Sequence, residues 1–181
     1  MNLPNKLTLI RIVAIIPFTI FMLVNGCEGF FKWASLVVFV AASLTDTLDG
    51  YIARRDKLVT DFGKFMDPLA DKMIVCAAMI CLVSIGRLPA WICIIIIARD
   101  FIISGFRLVA AESGKVIAAN IWGKVKTTVQ MIMIILLIID FKVMFLHVIT
   151  VICVYLALVL TVVSLVIYLY QNRSVLNFEN L

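Results

Sequence analysis

One histidine, His147, stands in this 181-residue sequence, and its five cysteines form no C-x-x-C pair. A zinc knuckle therefore has no donor set, and the odd cysteine count argues against a disulfide framework. Charge is scarce as well: 15% of the residues are Asp, Glu, Lys or Arg, against about 25% in soluble domains. No small-residue cleavage site follows the first apolar stretch, so that stretch reads as a retained span rather than a removed signal peptide. No internal repeat or low-complexity segment interrupts the chain. What fills it instead is apolar: 64% of the residues, with a mean hydropathy of +1.15. A soluble interior of this size cannot hide that much apolar surface, so lipid must cover it.

A helix of about 20 apolar residues crosses the roughly 30 Å hydrocarbon core. The chain has room for about six such spans and no soluble domain beside them. The apolar runs and their breaks predict helices over 7–24, 31–54, 62–85, 89–111, 121–139 and 144–170. Asn25-Gly26, Gly86 and Ser113-Gly114 supply the stops. Pro89 falls at a helix start, where its missing N–H does no harm, whereas Pro17 and Pro68 fall inside helical pattern and are candidate kinks. The expectation is an all-α, polytopic membrane protein, one domain over 1–181, with six transmembrane helices around a polar cavity open to the cytoplasm. Cys27, Cys76, Cys81, Cys93 and Cys153 read as small packing residues. Tyr155, Tyr168 and Tyr170 read as packing and interfacial residues of the last span, and His147 as structural.

Charge sets the orientation. With the N-terminus inside, twelve of the sixteen cations (Lys6, Arg11, Arg54, Arg55, Lys57, Lys64, Lys72, Arg107, Lys115, Lys124, Lys126 and Arg173) lie on the inner side. Lys32, Arg87 and Lys142 lie outside, and Arg99 lies within the fourth span. That bias predicts a multi-pass protein of the inner (cell) membrane with both termini and the active site in the cytoplasm. The net charge of +5 is then no nucleic-acid footprint, but a face turned to anionic lipid and soluble anionic metabolites.

Ionisable groups in membrane spans are costly and mark function. Four aspartates gather where the second helix ends and the third begins: Asp46, Asp49, Asp67 and Asp71. The first pair is spaced i, i+3 and the second i, i+4, so each pair projects from one helix face. The short connection makes the two helices antiparallel neighbours, which lets the four carboxylates converge. Unneutralised, they would repel strongly in a low dielectric. A divalent cation relieves this, and an all-oxygen donor set suits Mg²⁺ or Mn²⁺, with enough carboxylates for two ions. Capping by Asp61 and Asp67, or pairing with Lys72, accounts for one or two of the acids but not for four. Gly50, Ala53 and Gly63 let a bulky group approach the backbone, at about 1 kcal/mol for a glycine inside a helix. Arg54 could grip a phosphate in bidentate fashion.

The run reads Asp46-x2-Asp49-Gly50-x2-Ala53-Arg54-x8-Gly63-x3-Asp67-x3-Asp71, with eight fixed residues in 26 positions. At every fixed position it resembles the signature of the CDP-alcohol phosphotransferase family. That resemblance implies two metal ions held by Asp46, Asp49, Asp67 and Asp71, with Asp71 also the base on the acceptor hydroxyl. It implies that the CDP-lipid lies against Asp46, Asp49, Gly50, Ala53, Arg54, Gly63 and Asp67, and that CMP leaves as an alcohol attacks the β-phosphorus. Homodimers are common in the family.

A second set of residues bears on the acceptor. Arg99-Asp100 lie deep in the fourth span with Arg107 two turns on, and Lys124 and Lys126 open the fifth. Asp100 and Arg107 could simply pair, and the lysines could snorkel to the interface; alternatively, these cations form a pocket for an acceptor phosphate. The stretches Asn5-x2-Thr8-x2-Arg11, Ala98 to Arg107 and Gly123-Lys124-x-Lys126-Thr127-x2-Gln130 resemble the branch of the family that acts on glycerol 3-phosphate, with Asp100 where that branch carries Glu. The resemblance implies transfer of the phosphatidyl group of CDP-diacylglycerol to the C1 hydroxyl of glycerol 3-phosphate, with Thr8, Arg11, Arg99, Arg107, Lys124 and Lys126 binding the acceptor. A sister enzyme using inositol phosphate, serine or a phospholipid is the nearest alternative. An intramembrane prenyltransferase spaces its acids differently. A divalent-cation transporter wants its acids at the midplane between repeated halves.

Overall fold

The computed structural model describes the backbone of residues 3–55, 61–112 and 121–172, and the side chains of residues 8–45, 70, 72–108, 110 and 121–172. Six α-helices follow one another: α1 (Leu3–Leu23), α2 (Phe30–Arg55), α3 (Asp61–Ser84), α4 (Ala90–Glu112), α5 (Ile121–Ile139) and α6 (Met144–Gln171), with a 3₁₀ turn at Val24–Gly26. No strand occurs among the described residues. Only the start of α1 departs from the expected bounds by more than a residue or so. The first apolar residues suggest Leu7, yet the helix begins at Leu3, because Pro4 is tolerated in a first turn whose N–H groups lack intrahelical partners.

The breaks are made by backbone that cannot continue a right-handed helix. Asn25, Gly26 and Cys27 take φ of 50°, 65° and 61°, left-handed values that end α1. Gly86 at φ 74° ends α3 the same way. The carbonyls of Cys81, Leu82 and Val83 are then satisfied by the N–H groups of Ile85, Gly86, Arg87 and Leu88. Pro17 lies within the unbroken run of α1.

The helices are built for lipid. Along α6 the buried residues are Thr150, Val154, Ala157, Thr161, Ser164 and Tyr168, a stripe that recurs every three or four residues. Most of that stripe is small or hydroxyl-bearing, whereas Val148, Ile152, Leu156, Val159 and Val166 stand exposed. Small polar residues inside and branched aliphatics outside is the pattern of a membrane helix, since lipid replaces the oily core. α1 has the same aliphatic outer face, exposing Leu9, Val13, Ile16 and Ile20, but buries the larger Arg11, Phe18 and Met22 together with Thr8. Among the described residues, Thr8–Gly26, Ile121–Ile139 and Met144–Gln171 are long and apolar enough to cross a bilayer, and Phe30–Thr45 and Lys72–Ser84 are shorter apolar helical stretches. α4, with 23 residues, has the length but is interrupted by Arg99, Asp100 and Arg107. The protein is an all-helical, polytopic membrane protein.

The chain divides into two compact units, Met1–Pro89 with Leu137–Asp140, and Ala90–Leu136 with Phe141–Leu181. In the first, α1 packs against both α2 and α3, with Phe18 and Phe39 ring to ring at 6.0 Å. Arg87 ties its loops together. Its guanidinium donates to the carbonyls of Ile138 (3.1 Å) and Gly26 (3.3 Å) and pairs with Asp140 at 3.4 Å. In the second, α4 packs along α6.

Candidate active site

The eight positions of the acidic motif fall on consecutive helices of the first unit. Asp46, Asp49, Gly50, Ala53 and Arg54 occupy the last turns of α2. Gly63, Asp67 and Asp71 occupy the first three turns of α3. The two helices pack against each other, so the end of one and the beginning of the next carry the whole motif. The side chains of these eight residues lie outside the described ones. Thr8 and Arg11, on α1 of the same unit, are 1% and 2% exposed. A cation buried to that degree in an apolar helix requires compensation.

The second unit gathers a charged cluster from three helices. Arg99, in the middle of α4, is 8% exposed. Its Nη1 donates to Asp100 Oδ1 at 3.1 Å and its Nη2 to Ser164 Oγ of α6 at 2.9 Å. Lys126 of α5 is 1% exposed and donates from Nζ to the same Asp100 Oδ1 at 2.5 Å. One carboxylate thus holds two buried cations, and Ser104 fixes its helix by donating to the Asp100 carbonyl at 2.6 Å. Gln130, one turn beyond Lys126, is 2% exposed.

Lys126 therefore does not snorkel, and Asp100 is engaged by Arg99 and Lys126. The other two cations of the expected pocket behave differently, since Arg107 and Lys124 are exposed. Beside Arg107, Phe106 packs edge-on against Tyr168 at 6.1 Å. Gly123 of α5 lies close to Arg99 as well: a Cβ there would stand 3.6 Å from Nη2. Ser164 is the participant that sequence reasoning missed. Its one signal was the hydroxyl-and-small stripe along α6, visible at Thr150, Ala157, Thr161 and Ser164.

Residues 1–163 match the family model described as CDP-alcohol phosphatidyltransferase. The chain belongs to that family. It is similar to a CDP-diacylglycerol–glycerol-3-phosphate 3-phosphatidyltransferase of Bacillus subtilis (strain 168), at 48% identity over 72% of this chain and 73% of that protein. The namesake of Haemophilus influenzae is 38% identical over 96% of this chain and 94% of its own length. A protein of Mycobacterium tuberculosis named as a probable phosphatidylglycerophosphate synthase is 37% identical over 92% of this chain and 79% of its own. The family match takes in both the α2–α3 motif and the Arg99–Asp100–Lys126 cluster.

Proposed function

We propose that this member of the family transfers the phosphatidyl group of CDP-diacylglycerol to the C1 hydroxyl of glycerol 3-phosphate, giving phosphatidylglycerol phosphate and CMP at the cytoplasmic face of the membrane. The observation that carries the acceptor assignment is the buried Arg99–Asp100–Lys126 cluster on α4 and α5. Two cations kept out of water in a membrane helix bundle suit a phosphomonoester dianion, and they distinguish glycerol 3-phosphate from uncharged alcohols. High identity to relatives bearing that enzyme's name over most of the chain supports the same reading.

The donor set of α2 and α3 fits divalent cations, because it consists of four carboxylates at the spacing of successive helix turns. Asp46, Asp49, Asp67 and Asp71 would hold Mg²⁺ or Mn²⁺, with enough carboxylates for two ions. When bound, the metal supplies charge neutralisation for the diphosphate and the departing CMP. The chain's own residues do the rest. Gly50, Ala53 and Gly63 leave the α2 and α3 backbones open to the CDP moiety, and Arg54 binds a phosphate through its guanidinium. Asp71 takes the proton from the C1 hydroxyl as it attacks the β-phosphorus. Arg99 and Lys126 bind and orient the acceptor phosphate.

The deciding experiment incubates purified protein with CDP-diacylglycerol and a panel of alcohols: glycerol 3-phosphate, inositol phosphate, serine and phosphatidylglycerol. CMP release should depend on glycerol 3-phosphate, stop with EDTA and return with Mg²⁺ or Mn²⁺. Release with another alcohol and none with glycerol 3-phosphate would overturn the acceptor assignment.

A further inference from the structure

The sixth helix places Ser164 against Arg99 of α4. Ser164 is 2% exposed, in the buried stripe of α6. Its hydroxyl has a fixed direction, because the proton is donated to the Thr161 carbonyl at 3.0 Å. The oxygen lone pairs are thereby turned away from its own helix, and one accepts from Arg99 Nη2 at 2.9 Å. Thr161, one turn earlier, repeats the arrangement by donating to the Ala157 carbonyl at 2.7 Å. The hydroxyl of Ser164 is therefore oriented by its own backbone before Arg99 arrives.

A guanidinium is a rigid planar fork, so two fixed points determine where its remaining donors face. Asp100 of α4 holds Nη1 and Ser164 of α6 holds Nη2. The Nε of Arg99 is buried and has no partner among the described residues. A buried N–H without a partner costs free energy and marks a place where a partner is expected. The Nε–H is a donor left for an oxygen of a phosphate.

We propose that Ser164 is a positioning residue for acceptor binding: with Asp100 it locks the Arg99 guanidinium so that its Nε edge meets the phosphate of the acceptor. The proposal rests on the glycerol 3-phosphate reading above. Asp100 supplies charge and one anchor, and Ser164 supplies the second anchor without adding charge. Loss of the hydroxyl leaves Arg99 on one anchor, free to swing about Nη1. Acceptor affinity falls, whereas the donor side, held by other residues, is unmoved.

The test measures steady-state kinetics of the full-length protein in detergent with both substrates varied. Ser164→Ala should raise KM for glycerol 3-phosphate about tenfold, the loss of roughly one hydrogen bond to a charged donor. Its kcat should stay within about twofold, and KM for CDP-diacylglycerol should not move. Ser164→Thr and Ser164→Val have the same shape and differ in the hydroxyl, so Thr should restore acceptor KM and Val should behave as Ala. In an Arg99→Lys background, Ser164→Ala should add nothing further. Turnover with an unmoved acceptor KM in Ser164→Ala, or equal values for Thr and Val, would overturn the proposal alone. Absence of glycerol 3-phosphate turnover in the unaltered chain would overturn the acceptor assignment, and this proposal with it.

Discussion

Lys126 Nζ and Arg99 Nη1 meet on a single oxygen, Oδ1 of Asp100, so that α5 is fastened to α4 by a carboxylate shared between two buried cations. Removing one member of a buried ionic group leaves the others uncompensated, which typically costs about 3–5 kcal/mol. Asp100→Asn should accordingly lower the thermal midpoint of the detergent-solubilised protein and weaken glycerol 3-phosphate binding together. Asp100→Glu keeps the charge and should recover most of both. Unchanged melting of Asp100→Asn, followed by fluorescence or by loss of activity on heating, would show that the cluster does not hold α4 to α5.

Asp71, on the third turn of α3, is assigned the proton of the acceptor hydroxyl. Asp71→Asn preserves the size of the side chain and removes its ability to take a proton. The expected result is a fall in kcat of about 10²–10⁴, with donor affinity, measured by equilibrium binding of a CDP-lipid, changed far less. Near-normal turnover would remove the base assignment.

Arg87 illustrates a residue whose work is structural. It reaches the carbonyls of Gly26 and Cys27, those of Leu137 and Ile138, and the carboxylate of Asp140. The ion pair is partly exposed and contributes little by itself; the carbonyl bonds, made by a charged donor, contribute more. Arg87→Ala should reduce stability by about 2 kcal/mol, read as a lower denaturation midpoint, while KM for both substrates stays as in the unaltered protein. A selective change in either KM would contradict the structural role.

The helices were legible because their signals are local. Apolar runs of the right length, Gly86 and Gly114 shortly after α3 and α4, and Pro89 just before α4 place the boundaries of α2 to α6 to within a residue or so. The motif on α2 and α3 was legible because its spacing is itself helical. The cluster around Arg99 was legible only in part. Its residues stand out as charges in apolar surroundings, but spacing offers Asp100 a partner in Arg107 along one helix, whereas the engagement runs to Lys126 on another. Spacing along a helix constrains partners on that helix and says nothing about which helix lies alongside. For the same reason Ser164 passed unnoticed: a serine in an apolar span has no chemical signature until the neighbouring helix places Arg99 against it.

Gly123 of α5 also lies beside that guanidinium. A methyl group at this position would stand 3.6 Å from Arg99 Nη2, an ordinary van der Waals distance, so Gly123→Ala should leave acceptor KM near its original value. Alanine also favours the helix, by up to about 1 kcal/mol, so stability should hold or rise. Gly123→Leu carries further carbons from the same Cβ into the space beside the fork, where Arg99 is already held by Asp100 and Ser164 and has little freedom to yield. A guanidinium displaced by about 1 Å from its productive position loses on the order of 10–100-fold in efficiency. The leucine variant should therefore lose kcat/KM for glycerol 3-phosphate while its affinity for CDP-diacylglycerol persists. Equal tolerance of alanine and leucine would mean that Arg99 does not need its observed position for acceptor binding.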